Sequence, residues 1–411
     1  MLSLLPILAL VASIYASPIG SRDDKPKYVP GRYLVQLQTG ANAAIHHDSV
    51  RRLARRNAAH EPVERTFSIG NLNAYLGDFD KQAAADILNL DEVLSVVPDE
   101  YVYLEKTDLP SLEPQRRDLM TQFPGIWSLA DLSHKETGAA DYIYDASAGE
   151  GMTAYVFDTG IRLTHQEFEG RARFGINGVT NSTDPGEASK DTDGHGTHCA
   201  ATVVGKTYGV AKKASVVDVK VFEGDIGSIS AILTGLEWAI NDVVSHNAQE
   251  KSVFSMSLSA RTSSTLLDHA IKAAYNAGIL SVVAAGNDNA PVGNTTPARA
   301  AESFTVGMTQ PDRRRVSTIH GSNYGPEVDV FAPGQDIVSA GHLSDTETAT
   351  KTGTSMATPL VAGLVCYLRA LEEGLGSPKE ATGRILQLAL RDVVGNPKGS
   401  PNLLVNNGSG A

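Results

Sequence analysis

The sequence predicts an α/β fold, in which a mostly parallel sheet covered by helices on both faces follows a small α+β domain. From about Asp118 onward, short apolar segments alternate with helical ones along the 411-residue chain. Strands that are apolar on both faces are typical of a parallel sheet buried between helices. The first hundred residues instead combine alternating strands with short helices, which predicts a separate domain.

The chain begins with an apolar segment at residues 2–16. This segment is shorter than the about 20 residues that a membrane-spanning helix needs. We therefore expect residues 1–16 to be a secretory signal peptide, with Ile14-Tyr15-Ala16 as its cleavage site. No later segment looks long and uninterrupted enough to cross a bilayer, so no membrane partner is expected.

Residues 17–117 show the element order βαββαβ, which is the order of a ferredoxin-like sheet with helices on one face. The predicted strands are 32–38, 63–69, 73–79 and 93–104, and the predicted helices are 42–57 and 80–90. Residues 106–121 are polar and carry the dibasic pair Arg116-Arg117. We interpret them as an exposed linker that is cut to release residues 118–411. A surface loop with incidental arginines is the alternative.

The larger domain contains the predicted strands 153–157, 216–221, 253–258, 279–284, 303–306 and 328–332, and the predicted helices 229–246, 266–277 and 355–371. In parallel sheets, functional sites form at the carboxyl ends of the strands. Asp158 follows directly on the first of these strands, which is where that rule places a functional residue. Pro359 is expected in the first turn of its helix, where proline is tolerated.

The composition limits the function. A net charge of −12 makes the chain a poor ligand for phosphate backbones, so no nucleic-acid partner is expected. Its 42% hydrophobic content is ordinary for a globular protein. We expect this protein to be a monomer.

The two cysteines, Cys199 and Cys366, lie in apolar helical segments. We expect two buried free thiols, and a bridge between them stays open as the alternative.

Three short motifs supply an aspartate, a histidine and a serine, in that order along the chain. They place Asp158 in Asp-Thr-Gly, His195 in Gly-His-Gly-Thr-His and Ser355 in Gly-Thr-Ser-Met-Ala-Thr-Pro. A serine hydroxyl becomes a good nucleophile when a base takes its proton and a carboxylate orients that base. Taken alone, Asp158 could be a turn residue and Ser355 a helix cap. Together, the motifs predict a nucleophilic serine.

His195 and His198 have a spacing that could also suggest a metal site. Zinc sites on helices use a third ligand and the glutamate of His-Glu-x-x-His, and this motif has no such glutamate. We therefore expect no metal here and a structural role for His198.

On these motifs, residues 123–407 resemble the subtilisin-like serine peptidases, in particular the secreted, fungal, proteinase K-like type. The resemblance extends to the motifs Phe168-Glu-Gly-Arg-Ala, Tyr208-Gly-Val-Ala-Lys-Lys, Ala284-Ala-Gly-Asn and Asn323-Tyr-Gly. The segment before residue 117 is similar to the inhibitory propeptide of these enzymes. The resemblance implies a subtilisin-like fold for the larger domain.

The resemblance also implies the roles of the site residues. Asp158 would orient His195, and His195 would act as general base and then as general acid toward Ser355 and the leaving amine. The side-chain amide of Asn287 would bind the oxyanion together with the N–H of Ser355, with a Gly-Asn turn as the alternative interpretation. A substrate peptide would lie extended against backbone segments. The implied substrate-binding residues are Gly227, Ser257, Leu258, Ser259, Ala260, Ala285 and Gly286.

Two departures from the family pattern affect these expectations. Ser259-Ala260 stands where the family usually has Gly-Gly, so we expect a narrower pocket and a more selective preference for P1, the residue whose carbonyl is attacked. A calcium-binding aspartate of the family aligns near Gln310, with Asp312 two residues further on. A structural calcium ion is therefore not assigned, and no cofactor is predicted.

We predict a secreted serine endopeptidase that acts on proteins and peptides through an acyl-enzyme and is made as a precursor inhibited by its own propeptide. Sequons at Asn181, Asn294 and Asn407 predict N-glycosylation. One alternative is a scaffold protein that has the fold without the activity. Another is an exopeptidase or a processing peptidase, but cleavage after basic residues would favour an acidic pocket. The stretch from Ser259 to Arg261 offers no acidic side chain.

Overall fold

The computed structural model describes residues 28–38, 41, 46–47, 49–51, 62–103, 126–186 and 190–409. The structural statements below concern this part of the chain. The predicted signal peptide at residues 1–16 and the predicted cleavage at Arg116-Arg117 lie outside it.

Residues 28–103 form the small α+β domain. Its four strands pair antiparallel in the order β2-β3-β1-β4, which is the predicted ferredoxin-like order. Asp80 caps the helix of this domain by accepting the N–H of Ala83 at 2.7 Å, and the described residues at 46–47 and 49–51 are helical. The elements are β1 Tyr28–Leu37, β2 Val63–Ile69, β3 Leu72–Asp78, α1 Lys81–Leu88 and β4 Val93–Tyr103.

The larger domain is built on a nine-stranded sheet in the order β16-β17-β13-β12-β11-β10-β5-β7-β6. Its neighbouring strands are parallel except for the β16–β17 pair. The strands are β5 Thr153–Asp158, β6 Ala172–Asn177, β7 Ser215–Lys220, β10 Ser252–Met256, β11 Leu280–Ala284, β12 Ser303–Thr309, β13 Val330–Pro333, β16 Leu390–Arg391 and β17 Leu403–Leu404. The predicted fold class is confirmed.

Helices cover both faces of this sheet. One hydrophobic cluster packs α4 and α5 against it, and a second packs α3 and α6 against it. The helices are α2 Trp127–Ser133, α3 His195–Val204, α4 Ile229–Ser245, α5 Thr265–Asn276, α6 Thr354–Leu371 and α7 Pro378–Leu388, and a 3-10 turn spans Gln249–Lys251. The remaining strands are β8 Phe222–Glu223, β9 Ile226–Ser228, β14 Ile337–Ala340 and β15 Thr348–Lys351.

Helix α6 is the central helix of the larger domain, buried from Thr354 to Arg369. By length and composition it could cross a membrane, although no such segment was expected from the sequence. However, 83% of it is buried inside the protein. A helix that is apolar nearly all round also suits a protein core, and α6 occupies that position here.

Pro359 is the sixth residue of α6 and not, as expected, a residue of its first turn. Proline has no N–H, so the carbonyl of Ser355, four residues earlier, receives no helical hydrogen bond. This carbonyl instead accepts the hydroxyl of Ser257 at 2.8 Å and the thiol of Cys199 at 3.4 Å. The proline is tolerated because side chains outside the helix replace the missing bond.

The two domains share a sheet edge and a core. Strand β4 pairs antiparallel with β9, with Val102 opposite Gly227. Phe67 and Leu76 of the small domain lie in the same hydrophobic cluster as Ile229 of the larger domain. The small domain is therefore an integral part of the folded chain.

Candidate active site

Asp158 is the last residue of β5, at the carboxyl end of the parallel sheet, and is fully buried. Its Oδ1 accepts the N–H of Thr159 at 2.8 Å and lies 2.7 Å from Nδ1 of His195. Within the described residues its Oδ2 has no hydrogen-bond partner. A carboxylate in this position favours the tautomer with the proton on Nδ1, which leaves Nε2 free to accept a proton.

His195 is the first residue of α3, and Asp191 holds the start of this helix. Oδ1 of Asp191 accepts the N–H of Gly194 at 2.8 Å and the hydroxyl of Thr159 at 2.8 Å, while its Oδ2 accepts the N–H of Thr197 at 3.0 Å. Asp191 thus ties the end of β5 to the start of α3. Asp191 was not predicted from the sequence, although an acidic residue just ahead of a helix is a capping signal.

His195 is 4% exposed. Burial acts to lower the pKa of its imidazole, but the neighbouring Asp158 carboxylate raises that pKa well above its ordinary value. The position therefore stabilises an imidazolium, which a general base becomes after it accepts a proton.

Ser355 is the second residue of α6, and its hydroxyl donates to the carbonyl of Ser257 at 3.2 Å. Within the described residues, this hydroxyl makes no hydrogen bond to His195. Cys199 contacts the His195 ring and the backbone of Ser355, because its Sγ lies 3.7 Å from Nδ1 of His195 and 3.4 Å from the carbonyl oxygen of Ser355. Serine and imidazole thus belong to one buried cluster. Catalytic hydrogen bonds often form fully only when substrate is bound.

Asn287 and the N–H of Ser355 border one space beside Gly353. A Cβ on Gly353 would lie 3.3 Å from Nδ2 of Asn287 and 3.6 Å from the backbone nitrogen of Ser355. Oδ1 of Asn287 accepts the N–H of Thr354 at 2.8 Å and its hydroxyl at 2.9 Å, and Nδ2, the donor end of the amide, has no hydrogen-bond partner among the described residues. Two N–H donors that converge near the positive end of a helix form a candidate oxyanion hole.

Asn323 supports the segment that carries Asn287. It is fully buried; its Nδ2 donates to the carbonyl of Ala285 at 3.0 Å, and its Oδ1 accepts the N–H groups of Asp288 and Ala290 at 2.9 and 3.1 Å. Asn323 thus fixes the backbone on both sides of Asn287. From the sequence, Asn323 was recognised only as part of a motif, because nothing local reveals its distant partners.

His198 has the structural role that was expected. It is fully buried, and its Nε2 donates to the carbonyl of Ile337 at 2.9 Å. Burial lowers its pKa to about 3, so the ring is neutral. In the described part of the chain, the group that could hold a metal is Asp158, His195 and Cys199, with ligand atoms within 4.8 Å of one another. The Asp158–His195 hydrogen bond already uses two of these three.

The predicted substrate-binding residues lie beside Ser355 and along β9. Gly227 is in β9, where it is paired with Val102 of the small domain. The other six continue from the ends of β10 and β11: Ser257, Leu258, Ser259, Ala260, Ala285 and Gly286. The side chains of Leu258, Ala260 and Ala285 belong to the hydrophobic core, so they offer a ligand mainly their backbone.

One predicted glycosylation site is wrong. Asn407 is 2% exposed, and its Nδ2 donates to the carbonyl of Ile143 at 2.7 Å. A glycan is attached through that nitrogen and needs a surface position, so Asn407 cannot carry one in this fold. Asn181 and Asn294 are exposed.

The residues near Gln310 do not fit the family's calcium site. Asp312 is exposed, and its carboxylate accepts a backbone N–H within its own turn. The neighbouring Arg313 is buried, and its guanidinium donates to Oδ1 of Asp131 at 2.7 Å and to the backbone carbonyls of residues 134–136. The arginine thus takes the kind of oxygen atoms that calcium would need.

Comparison with known proteins identifies the family. Residues 149–410 match the model of the Subtilase family, and residues 32–105 match that of the Peptidase inhibitor I9 family. The chain belongs to the subtilase family. It is a subtilisin-like serine peptidase with an I9 domain in front of the peptidase domain.

The similarity to other subtilases extends over nearly the whole chain. Alkaline protease 1 of Aspergillus flavus is 42% identical over 419 residues, which cover 99% of this chain and 98% of that protein. Alkaline proteinase of Hapsidospora chrysogena is 43% identical over 419 residues and covers 100% of both chains. The crystal structure of a cold adapted subtilisin-like serine proteinase matches with a TM-score of 0.63 and 38% identity, over 69% of this chain and 98% of that one.

Proposed function

We propose that this subtilase hydrolyses internal peptide bonds of proteins through Asp158, His195 and Ser355, with Asn287 as an oxyanion donor. The observation that carries the proposal is the 2.7 Å contact between His195 and Asp158, in one buried cluster with a serine at the start of a core helix. A carboxylate that orients a buried imidazole near a serine is one part of the arrangement that activates a serine hydroxyl.

The proposed reaction uses these groups in turn. Nε2 of His195 takes the hydroxyl proton as Oγ of Ser355 attacks the substrate carbonyl, and the oxyanion accepts hydrogen bonds from Asn287 and from the N–H of Ser355. His195 then gives the proton to the leaving amine. The resulting acyl-enzyme is hydrolysed by water through the same steps, with His195 again as base and then acid.

The contacts of the small domain support the proposal that the chain is made as a precursor in which residues 17–117 inhibit the peptidase. Strand β4 occupies the outer edge of β9, the edge at which Gly227 is expected to meet substrate. Asp99 of β4 is fully buried, and its carboxylate accepts the hydroxyl of Ser230 at 2.8 Å and its N–H at 3.2 Å, at the start of α4. We propose that cleavage at Arg116-Arg117 gives the mature enzyme, residues 118–411.

Secretion belongs to the same proposal. The apolar segment at residues 1–16 supports a signal peptide, and the exposed positions of Asn181 and Asn294 support glycosylation of a monomeric extracellular enzyme. The culture medium should contain a protein whose N-terminus lies near residue 118. Its mass should fall after endoglycosidase treatment, and Asn181→Gln and Asn294→Gln should each remove part of that difference.

Casein digestion by the purified mature protein tests the proposed chemistry. Ser355→Ala and His195→Ala should each reduce hydrolysis to a residual level, because each removes a group that acts with the others as a unit. A serine-directed fluorophosphonate should label the wild type and neither variant. Folded wild-type protein that neither digests casein nor takes the label would instead support the scaffold alternative.

A further inference from the structure

Asp218 is a buried carboxyl group that the proposed reaction does not use. It lies in β7, opposite Val156 of β5 and the uncharged Phe174 of β6, and it is fully buried. Its Oδ2 accepts the N–H of Ile161 at 3.2 Å, and its Oδ1 has no hydrogen-bond partner among the described residues. A buried oxygen without a donor is far more costly for a charged carboxylate than for a neutral acid.

The bond from Asp218 holds residues 159–161, a segment that directly follows Asp158. The same segment is bonded to the first turn of α3, because Oγ1 of Thr159 accepts the N–H of Gly196 at 2.9 Å. Helix α3 begins with His195. A shift of the 159–161 segment would therefore move the carboxylate of Asp158 relative to the imidazole.

Three buried carboxyl groups accept hydrogen bonds from this one segment. Asp158 accepts the N–H of Thr159 and Asp191 accepts its hydroxyl, each at 2.8 Å. Asp218 is the third, through Ile161. Three negative charges on one short buried segment repel one another strongly, because water is not there to screen them. We therefore expect one of the three groups to carry a proton.

The hydrogen bonds indicate which of the three groups is least suited to a charge. Asp191 accepts five hydrogen bonds from the described residues. Asp158 accepts two, one of them from Nδ1 of His195. Asp218 accepts one, at 3.2 Å. A buried carboxylate keeps its charge when several donors replace its water, so this site favours Asp218 as the neutral acid.

The charges around Asp218 favour the same form. The titratable side chains on the elements around it are Asp158 of β5, Arg173 of β6, Lys220 of β7, Asp191 ahead of α3, and His195, His198 and Cys199 of α3. Lys220 is the base that acts on Asp218, but its Nζ already donates to two backbone carbonyls, at 2.7 and 3.1 Å, and lies 3.4 Å from the carboxylate of Glu223. Burial and the charge of Asp191 raise the pKa of Asp218 well above its ordinary value.

We propose that Asp218 is a positioning residue of this peptidase, a neutral carboxylic acid that holds the 159–161 segment without adding a third negative charge to the site. The inference rests on the proposed function of Asp158, His195 and Ser355, and it extends that function to a residue that does not touch substrate. The neutral form matters because a further negative charge would raise the pKa of His195, and a general base works best when its pKa is near the working pH.

Asp218→Asn and Asp218→Leu test the positioning role on the mature enzyme. Asparagine keeps an oxygen for the N–H of Ile161 and is neutral at every pH, whereas leucine has a similar size and no acceptor. Asp218→Asn should retain the wild-type kcat. Asp218→Leu should lower kcat by about tenfold to a hundredfold with little change in KM, because the carboxylate of Asp158 loses its fixed place.

The acid limb of the kcat/KM profile against pH tests the neutral form, because it reports the pKa of His195 in the free enzyme. The limb should have the same position in Asp218→Asn as in wild type. If Asp218 were ionised, asparagine would remove a negative charge, lower the pKa of His195 and move the limb to lower pH. Asp312→Asn and Asp312→Leu change an exposed carboxylate in the same way and should alter neither kcat nor the profile.

Infrared spectra of the uncut Ser355→Ala precursor test the protonation of Asp218 without any need for activity. At neutral pH, the difference between this protein and its Asp218→Asn variant should contain the C=O stretch of one carboxylic acid. This measurement also decides the charge if Asp218→Leu does not fold. A carboxylate band in its place, an acid limb that Asp218→Asn moves, or a wild-type kcat in Asp218→Leu would overturn the proposal.

Labelling with a serine-directed fluorophosphonate separates failure of this proposal from failure of the proposed function. Wild-type enzyme that takes the label, with an Asp218→Leu variant that keeps its kcat, refutes the role of Asp218 alone. Folded wild-type enzyme that does not take the label refutes the proposed function and the positioning role together.

Discussion

Gly353 is the residue beside which the two candidate oxyanion donors lie. A methyl group there would lie 3.3 Å from Nδ2 of Asn287 and 3.6 Å from the nitrogen of Ser355, in the space proposed for the oxyanion. We expect Gly353→Ala to lower kcat by about 10²–10³-fold, the size of the effect when one oxyanion donor is removed, with a much smaller change in KM. Steady-state kinetics on a peptide substrate measures both parameters.

Gly383→Ala is the matched control for this substitution. A Cβ at Gly383, inside α7, would meet no other atom within 4 Å. It should leave kcat unchanged and stabilise the helix by up to about 1 kcal/mol. Full activity of folded Gly353→Ala would show that the space beside Gly353 is not used in the reaction.

Asp329 should make stability depend on pH. Its Oδ2 accepts the N–H of Thr305 at 2.7 Å, and burial raises its pKa to about 6. The folded state therefore favours the neutral acid. The stabilisation that comes from keeping Asp329 neutral is complete below about pH 4, the pKa of an aspartate in the unfolded chain, and is lost as the pH rises to about 6. The free energy of unfolding should fall by about 3 kcal/mol across this range.

Asp329→Asn is neutral at every pH and retains an acceptor for Thr305. It should raise the Tm at pH 8 and change it little near pH 4. Asp312→Asn, at an exposed carboxylate, is the control and should have little effect at either pH. An equal increase in the Tm of Asp329→Asn at pH 4 and at pH 8 would contradict the expected titration of Asp329.

The candidate catalytic residues were predictable because each lies in a distinctive local motif at a strand end or helix start. Asn323 was not assigned a role, because it acts through hydrogen bonds to residues that a local pattern does not connect to it. Asp191 does carry a local capping signal, and only its bond to Thr159 is hidden from such a pattern. The burial of Asn407 was hidden for a similar reason, since the carbonyl that it contacts belongs to Ile143.

At the scale of elements, Pro359 links α6 to its surroundings. It leaves the carbonyl of Ser355 without a helical donor, and Ser257 and Cys199 supply donors instead. Pro359→Ala adds an N–H that can bond to this carbonyl within the helix and compete with both side chains. We expect a higher Tm and a lower kcat, because α6 is strengthened while the position of Ser355 is less constrained.

A Tm measurement on the Ser355→Ala background and kcat on the active background test the two parts separately. Ala357→Pro is not a suitable control because it would break the same helix, whereas Ala381→Gly weakens α7 without touching the site. A Pro359→Ala enzyme with an unchanged or higher kcat would mean that the external hydrogen bonds do not constrain the nucleophile.

The long apolar strands and helices of the larger domain were predicted to within a few residues, because their burial leaves a strong sequence pattern. For example, 229–246 was expected as a helix and Ile229–Ser245 is observed. The strand Ala172–Asn177 was missed because its residues mix charged, small and apolar types. The three-residue strand Ile226–Ser228 is too short to show an alternating pattern of apolar residues. It is recognisable only from its pairing with β4.

At the scale of the whole molecule, Asp99 joins the two domains. Its buried carboxylate binds the N–H and hydroxyl of Ser230 at the start of α4. Asp99→Ala should destabilise the uncut precursor by about 1–2 kcal/mol, because it removes this interaction and leaves polar groups unpaired. Thermal unfolding on the Ser355→Ala background measures the loss. Asp91→Ala, at an exposed position, is the control and should have little effect. An identical Tm for both variants would argue against the role of Asp99.

The pairing of β4 with β9 affects how well the proposed mature enzyme resists digestion by other copies of itself. If cleavage releases the small domain as proposed, β9 keeps the two-residue strand β8 as its one hydrogen-bonded neighbour among the described strands. Its bare edge can then pair with any extended polypeptide, including an unfolded molecule of the same enzyme. Concentrated mature enzyme should consequently destroy itself, at a rate that rises with the unfolded fraction. We therefore expect the intact precursor to survive long storage better than the mature enzyme does.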